Sequence, residues 1–162
     1  MFSNLFFITG EVHYSTHGFN FVYTSYNVNE TTYAIFKLKG PASSGVALVS
    51  DKSTDFTSGS YYLFSIGAWG NSYCALQKGR VGGILSFFGD QSNTGYLSNL
   101  EYRTFWISWA GHNKSLGHGT KVGNGVIFSY NDTATPLTIS HLAFGSYGQY
   151  TNQHKYYNGK NT

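Results

Sequence analysis

The feature that most limits what this chain can fold into is a repeated pattern. Short stretches of alternating aromatic or aliphatic and polar residues are cut off, about every 8–12 residues, by glycine, asparagine or aspartate. A period of two puts one set of side chains on one face of an extended strand. Residues 19–28 carry it in Phe19, Phe21 and Tyr23, and residues 31–39 carry it in Tyr33, Ile35 and Phe36. With Asn29-Glu30 between them and Gly40-Pro41 after them, these two stretches predict a hairpin. No stretch keeps a 3.6-residue period, so no helix is expected.

Further strands are predicted over residues 5–9, 46–50, 61–66, 73–78, 81–88, 101–109, 114–119, 126–130 and 137–144, with Tyr156-Tyr157 pairing as one more. Composition agrees: aromatics reach 19%, there are 20 Gly and only two Pro, and charged residues are 10%, against roughly 25% in an average soluble protein. The expectation is one all-β domain over residues 1–162, an antiparallel β-sandwich of jelly-roll type.

Several partner classes are set aside. The formal charge is +3 with Lys and Arg scattered, so nothing tracks a phosphate backbone and nucleic acid is not expected. No run of about 18 apolar residues occurs, so no membrane insertion is expected. Residues 1–9 lack the basic start, the length and the small-residue cleavage site of a signal peptide, and residues 5–9 read as a strand. Cys74 is the single cysteine, which excludes an internal disulfide and a thiolate zinc site. It reads as a half-buried strand residue, or as one half of a bridge to a second copy. Secreted, granule-stored and cytoplasmic forms all fit.

Residues 90–101 have the donor spacing of a twelve-residue calcium loop. Asp90, Ser92 and Thr94 stand at the first, third and fifth places, Gly95 at the sixth and Glu101 at the twelfth. In that reading Tyr96 adds a backbone carbonyl and the bound ion is Ca²⁺. A rival set, Asp51, Asp55 and Asp132, lies on other loops and lacks the glycine and the closing carboxylate.

If successive strands alternate in direction, the loops sort into two ends. One end gathers Asn29-Glu30, residues 51–60, His112-Asn113 and residues 131–136, and holds the N-x-Ser/Thr asparagines Asn29, Asn113 and Asn131. The other gathers the Trp69 turn, the Asp90 loop, residues 121–125 and residues 146–154. That second end offers Trp69 and Tyr150 as flat faces, with Asn71, Asn93, Gln149 and Asn152 as hydrogen-bonding arms. An aromatic face beside amides is what a sugar ring needs. Trp106 and Trp109, three apart on one strand, are expected on opposite faces, one in the core and one at the surface.

Residues 66–71 (Ile-Gly-Ala-Trp-Gly-Asn), Leu97-Ser98, Glu101-Tyr102-Arg103, the stretch Phe105-Trp106-Ile107-Ser108-Trp109 and Leu116-Gly117 resemble the farnesoic acid O-methyltransferase-like domain family. The resemblance runs over about residues 46–148 and implies an extracellular β-sandwich module. The chain is also similar to small galactose-binding lectins of the sea-anemone type, which implies a calcium-assisted site for terminal galactose.

No glycine-rich strand-to-helix turn for a methyl-donor nucleotide is present, and no nucleophile–base pair stands out. The chain is therefore expected to be no enzyme. It reads as a calcium-dependent, galactose-binding lectin and haemagglutinin, working as a homodimer on galactose-terminated glycans. The alternative is an adhesion or protein-interaction module.

Overall fold

The computed structural model describes residues 10–53, 56, 59–80, 83–90, 95–134 and 136–157, with the backbone alone at residue 80 and residues 83–89. The described strands are β1 (Glu11–His17), β2 (Phe21–Tyr23), β3 (Tyr33–Lys39), β4 (Ser44–Val49), β5 (Tyr61–Gly67), β6 (Tyr73–Arg80), β7 (Gly83–Asp90), β8 (Arg103–Ser108), β9 (Asn113–His118), β10 (Val126–Asn131), β11 (His141–Ser146) and β12 (Thr151–Tyr157). They form two six-stranded sheets, β1-β12-β3-β8-β9-β10 and β2-β11-β4-β5-β6-β7. Every neighbouring pair is antiparallel. The expected all-β sandwich is the fold.

The two sheets meet through alternate residues. Phe36, Leu38, Ile107, Leu116 and Tyr156 of the first sheet face Leu48, Tyr62, Phe64, Ile66 and Phe144 of the second, none more than 2% exposed. Each such side chain contributes about 1.5–3 kcal/mol on leaving water. The second sheet is buried on its outer face too. There Ala47, Val49, Tyr61, Leu63 and Ala143 lie beneath Phe21, Tyr23, Phe56 and Tyr147. Burial on both faces explains why β4 and β5 read as unbroken apolar runs instead of alternating.

The predicted hairpin is not formed. β2 pairs with β11 in the second sheet, whereas β3 lies between β12 and β8 in the first. The chain crosses from one sheet to the other between them, held by bonds to both. Thr24 Oγ1 donates to the Leu142 carbonyl at 2.9 Å, and the Tyr26 hydroxyl donates to the Tyr33 carbonyl at 2.8 Å. β1 was not expected, and the tail strand is far longer than Tyr156-Tyr157. Polar inward residues disguise both.

Those polar residues pair with one another. Thr16 of β1 bonds His154 Nε2 at 2.8 Å and Ser146 Oγ at 2.5 Å, and Asn152 Nδ2 donates to Ser146 Oγ at 2.9 Å. These bonds offset much of the cost of burying a hydrophilic strand, although Asn152 Oδ1 and His154 Nδ1 find no partner among the described residues. The predicted strand at residues 5–9 lies outside the described residues.

Trp106 and Trp109 do face opposite sides, but both are buried, at 1% and 8% exposure. Trp109 joins the core between the sheets, and a loop covers Trp106 on the outer face. Cys74 is fully buried, and burial pushes its thiol up to about 12. A bridge from Cys74 to a second copy is therefore incompatible with this fold.

Candidate functional site

The strand registers sort the loops as the alternation predicted. The turn after β5, the segment entering β8, the β9–β10 loop and the β11–β12 turn share one end. Trp69 sits there on the four-residue turn Ala68–Asn71. Its backbone is left-handed (φ 48°, ψ 60°), as are Gly67, Gly70 and Asn71 around it. Glycine adopts that region without cost; a bulky tryptophan is an outlier in it. The indole is 69% exposed and stacks on Tyr73, ring centres 4.6 Å apart and planes 12° from parallel. One face rests on Tyr73 and the turn presents the other outward.

Asn71 fixes this turn. Its Oδ1 accepts from the Leu97 amide and its Nδ2 donates to the Leu97 carbonyl, both at 2.8 Å, while its own carbonyl accepts from the Gly95 amide at 2.7 Å. The side chain imitates a strand peptide and ties the end of the Asp90 loop to the Trp69 turn. It is spent on structure and is not an arm for a ligand. Asn152 also leaves the expected sugar set, since it is fully buried and bonded to Ser146 and to the Ala42 carbonyl. Gln149 is exposed and Tyr150 half-buried on the β11–β12 turn. Amides of Tyr147 and Ser43 donate in sequence to Ser43 and Gly67 carbonyls, linking that turn to the Trp69 turn. Asn93 lies outside the described residues.

The expected calcium donors are only partly placed, because Ser92 and Thr94 also lie outside the described residues. Asp90 ends β7, half-buried, and accepts from the Tyr96 hydroxyl at 2.7 Å. A carboxylate at that point fits a calcium ion. The Tyr96 carbonyl does not, because the guanidinium of Arg103 donates to it and to the Gly95 carbonyl. Glu101 is exposed and pairs with Arg103 at 3.5 Å. Among the described residues no three His, Cys, Asp or Glu side chains gather as metal ligands.

The rival aspartates do not converge either. Asp132 is fully buried against Lys78, whereas Asp51 is exposed and capped by Ser53. Asp55 lies outside the described residues. Tyr73 and Arg103 were not among the expected site residues, although Tyr73 stands four residues after Trp69 at the start of a strand and Arg103 lies in the Glu101-Tyr102-Arg103 stretch.

The model of the family described as farnesoic acid O-methyl transferase matches residues 15–158. The chain belongs to this family. Its description as a methyl transferase overturns the expectation that the chain is no enzyme. No curated protein matches the sequence.

Among solved structures, the family's sandwich here is similar to a native glycosidic hydrolase, with 12% identity and TM-score 0.59 over 99% of this chain and 81% of that one. It is similar to the Bacillus licheniformis β-glucanase, with 14% identity and TM-score 0.53 over 93% and 79%. It also resembles the Caenorhabditis elegans galectin LEC-6, with 10% identity and TM-score 0.52 over 91% and 90%. At such identities the likeness is one of fold.

Proposed function

We propose that the protein binds carbohydrate at this loop end, with Trp69 as the stacking platform. The observation that carries the reading is the geometry of Trp69 itself. Holding a bulky residue in a left-handed backbone costs about 1–3 kcal/mol, and such strain gathers at functional sites. An exposed indole braced on Tyr73 is a rigid flat face of the kind that meets the C–H side of a sugar ring. Gln149 and Tyr150 stand on the turn linked to it. Likeness in fold to a galectin and to a β-glucanase supports the reading.

The finer proposal is recognition of terminal galactose assisted by calcium, by a secreted or granule-stored homodimer that agglutinates cells. The metal would rest on Asp90, Ser92, Thr94 and Glu101, without the Tyr96 carbonyl. Two sites per dimer would raise a weak single-site affinity by avidity. A glycan array and calorimetry with galactose, run in calcium and in chelator, test it. Binding of galactosides that is lost in Trp69→Ala is expected. Equal binding after chelation removes calcium from the proposal, and full binding by Trp69→Ala moves the site elsewhere.

Family membership favours a second reading, methyl transfer to a carboxylic acid. Incubation with a labelled methyl donor and farnesoic acid tests it, and a labelled ester is the product expected.

A further inference from the structure

A second opening lies on the outer face of the first sheet. Ile35 of β3 and Thr104 of β8 line it from the sheet, Tyr33 and Tyr157 add aromatic rings, and Thr120 and Lys121 of the β9–β10 loop close the other side. Its volume is about 590 Å³, inside the roughly 300–1,000 Å³ of small-molecule sites.

The loop that forms this wall is pinned. Trp106 Nε1 donates to the Asn124 carbonyl at 2.8 Å, the Gly119 amide to Thr104 and the His118 amide to Gly125, both at 2.9 Å. The indole lies so close over Gly117 that a Cβ there would come within 2.2 Å of it. The cleft is thus a preformed feature, one wall of which is held by a buried tryptophan.

Charge decides what suits it. Among the described residues the lining carries Lys37, Lys121 and Lys155 and no carboxylate. Glu11, beside the cleft, pairs with Lys155 at 2.9 Å, and the same ammonium lies 3.9 Å from the centre of the Tyr102 ring. That leaves Lys37, 5.8 Å over the Tyr157 ring, and Lys121 across the cleft from it, without a carboxylate partner in the lining. Two lysines in the lining of a cleft with an aromatic and aliphatic floor attract an anion. Thr104 and Thr120 add hydroxyls, which a purely apolar guest would strip of water without replacing its hydrogen bonds.

We propose that this cleft is a subsite for an anionic sugar, a uronic acid or a sulfated residue. The sugar's C–H face lies on Ile35 and the tyrosines, its hydroxyls meet Thr104 and Thr120, and its acid group sits between Lys37 and Lys121. The site shares no residue with the Trp69 turn, so it stands or falls independently of the reading above. A chain with both subsites is bivalent on an acidic polysaccharide before any dimer forms.

Calorimetry on the whole protein with digalacturonate, its neutral methyl ester and dodecanoate tests the assignment, with thermal unfolding to verify that each variant folds. Digalacturonate is expected to bind one to one and to weaken as ionic strength rises. Binding should be unchanged in Trp69→Ala and about tenfold weaker in the double variant Lys37→Gln/Lys121→Gln, whose sites are on the surface. Absence of digalacturonate binding overturns the proposal, as does equal binding of the methyl ester. Displacement of digalacturonate by dodecanoate, or undiminished binding by the double variant, would overturn it as well.

Discussion

The Nζ of Lys78 lies 2.6 Å from Oδ2 of Asp132, and neither residue is more than 3% exposed. The Tyr62 hydroxyl donates to the same oxygen, and Lys114, also buried, sits 5.0 Å over the Tyr62 ring and donates to the Gly111 carbonyl. One ammonium group thus binds the carboxylate and a second acts on it by charge alone, inside the sandwich at the end away from Trp69. Burial by itself raises the Asp132 carboxyl, but the bonds from Lys78 and Tyr62 and the charges of both lysines outweigh it and hold it below the ordinary range. Burial lowers Lys114 more than Asp132 raises it. The cluster links β5 and β6 of the second sheet to β9 and to the chain just after β10 of the first, and so joins the two sheets at this end.

Asp132→Ala should therefore be far more damaging than removal of a surface carboxylate. It strands the buried Lys78 ammonium and removes the charge that offsets Lys114, and breaking such a pair costs about 3–5 kcal/mol. Urea unfolding is expected to register that loss, with part of it recovered when Lys78→Met is added. Because the folded carboxyl is depressed, its contribution is present above the unfolded value of about 3.9 and disappears as pH falls through the folded one. A variant with wild-type stability would mean that the cluster is not a structural tie.

His154 should make the protein acid-sensitive at higher pH than Asp132 does. It is fully buried, and burial lowers its imidazole from 6.5 to about 3. The unfolded chain takes up that proton first, so stability is complete above about pH 6.5 and declines toward about pH 3, by about 1.4 kcal/mol per unit. Urea midpoints at about pH 6.5 and about pH 4.5 measure the slope. His154→Gln should flatten it while lowering stability at neutral pH, since the bond to Thr16 is disturbed. An unchanged slope in the variant would assign the acid limb to other groups.

Gly117 should tolerate no side chain. A Cβ would meet the Trp106 ring at 2.2 Å, and the indole cannot move without giving up its bond to Asn124. Overpacking of this kind costs about 1–3 kcal/mol. Gly117→Ala is expected to lower the thermal midpoint and shift tryptophan fluorescence, and to weaken digalacturonate binding through the displaced wall. Unchanged fluorescence with a normal midpoint would show that the loop yields freely.

The strand pattern was legible wherever one face was apolar, as in β3 and β8. It failed where neighbours from the other sheet decided the outcome. β2 and β3 alternate like a hairpin, but Thr24 bonds to Leu142, more than a hundred residues along the chain, and no local signal carries that. β12 was hidden because its inward Asn152 and His154 look like loop residues until Thr16 and Ser146 are beside them. At the site, the exposed platform Trp69 was visible in its glycine-flanked turn, whereas the structural use of Asn71 depended on Leu97. The lysines at 37, 121 and 155 meet only after three strands and a loop are assembled, so spacing could not reveal them.

Trp69 offers the sharpest test of the sugar site, because strain and binding should separate there. Replacing it by glycine removes a left-handed backbone penalty of about 1–2 kcal/mol and forfeits stacking on Tyr73, about 0.5–1.5 kcal/mol. The two nearly cancel, so Trp69→Gly should unfold at the wild-type midpoint or slightly above it. Trp69→Ala keeps the strain and loses the stacking, so it should be the less stable of the two. Both should lose galactoside binding on an array, since neither presents an aromatic face. A residue kept for stability would behave in the opposite way, with Trp69→Gly clearly destabilised and sugar binding untouched.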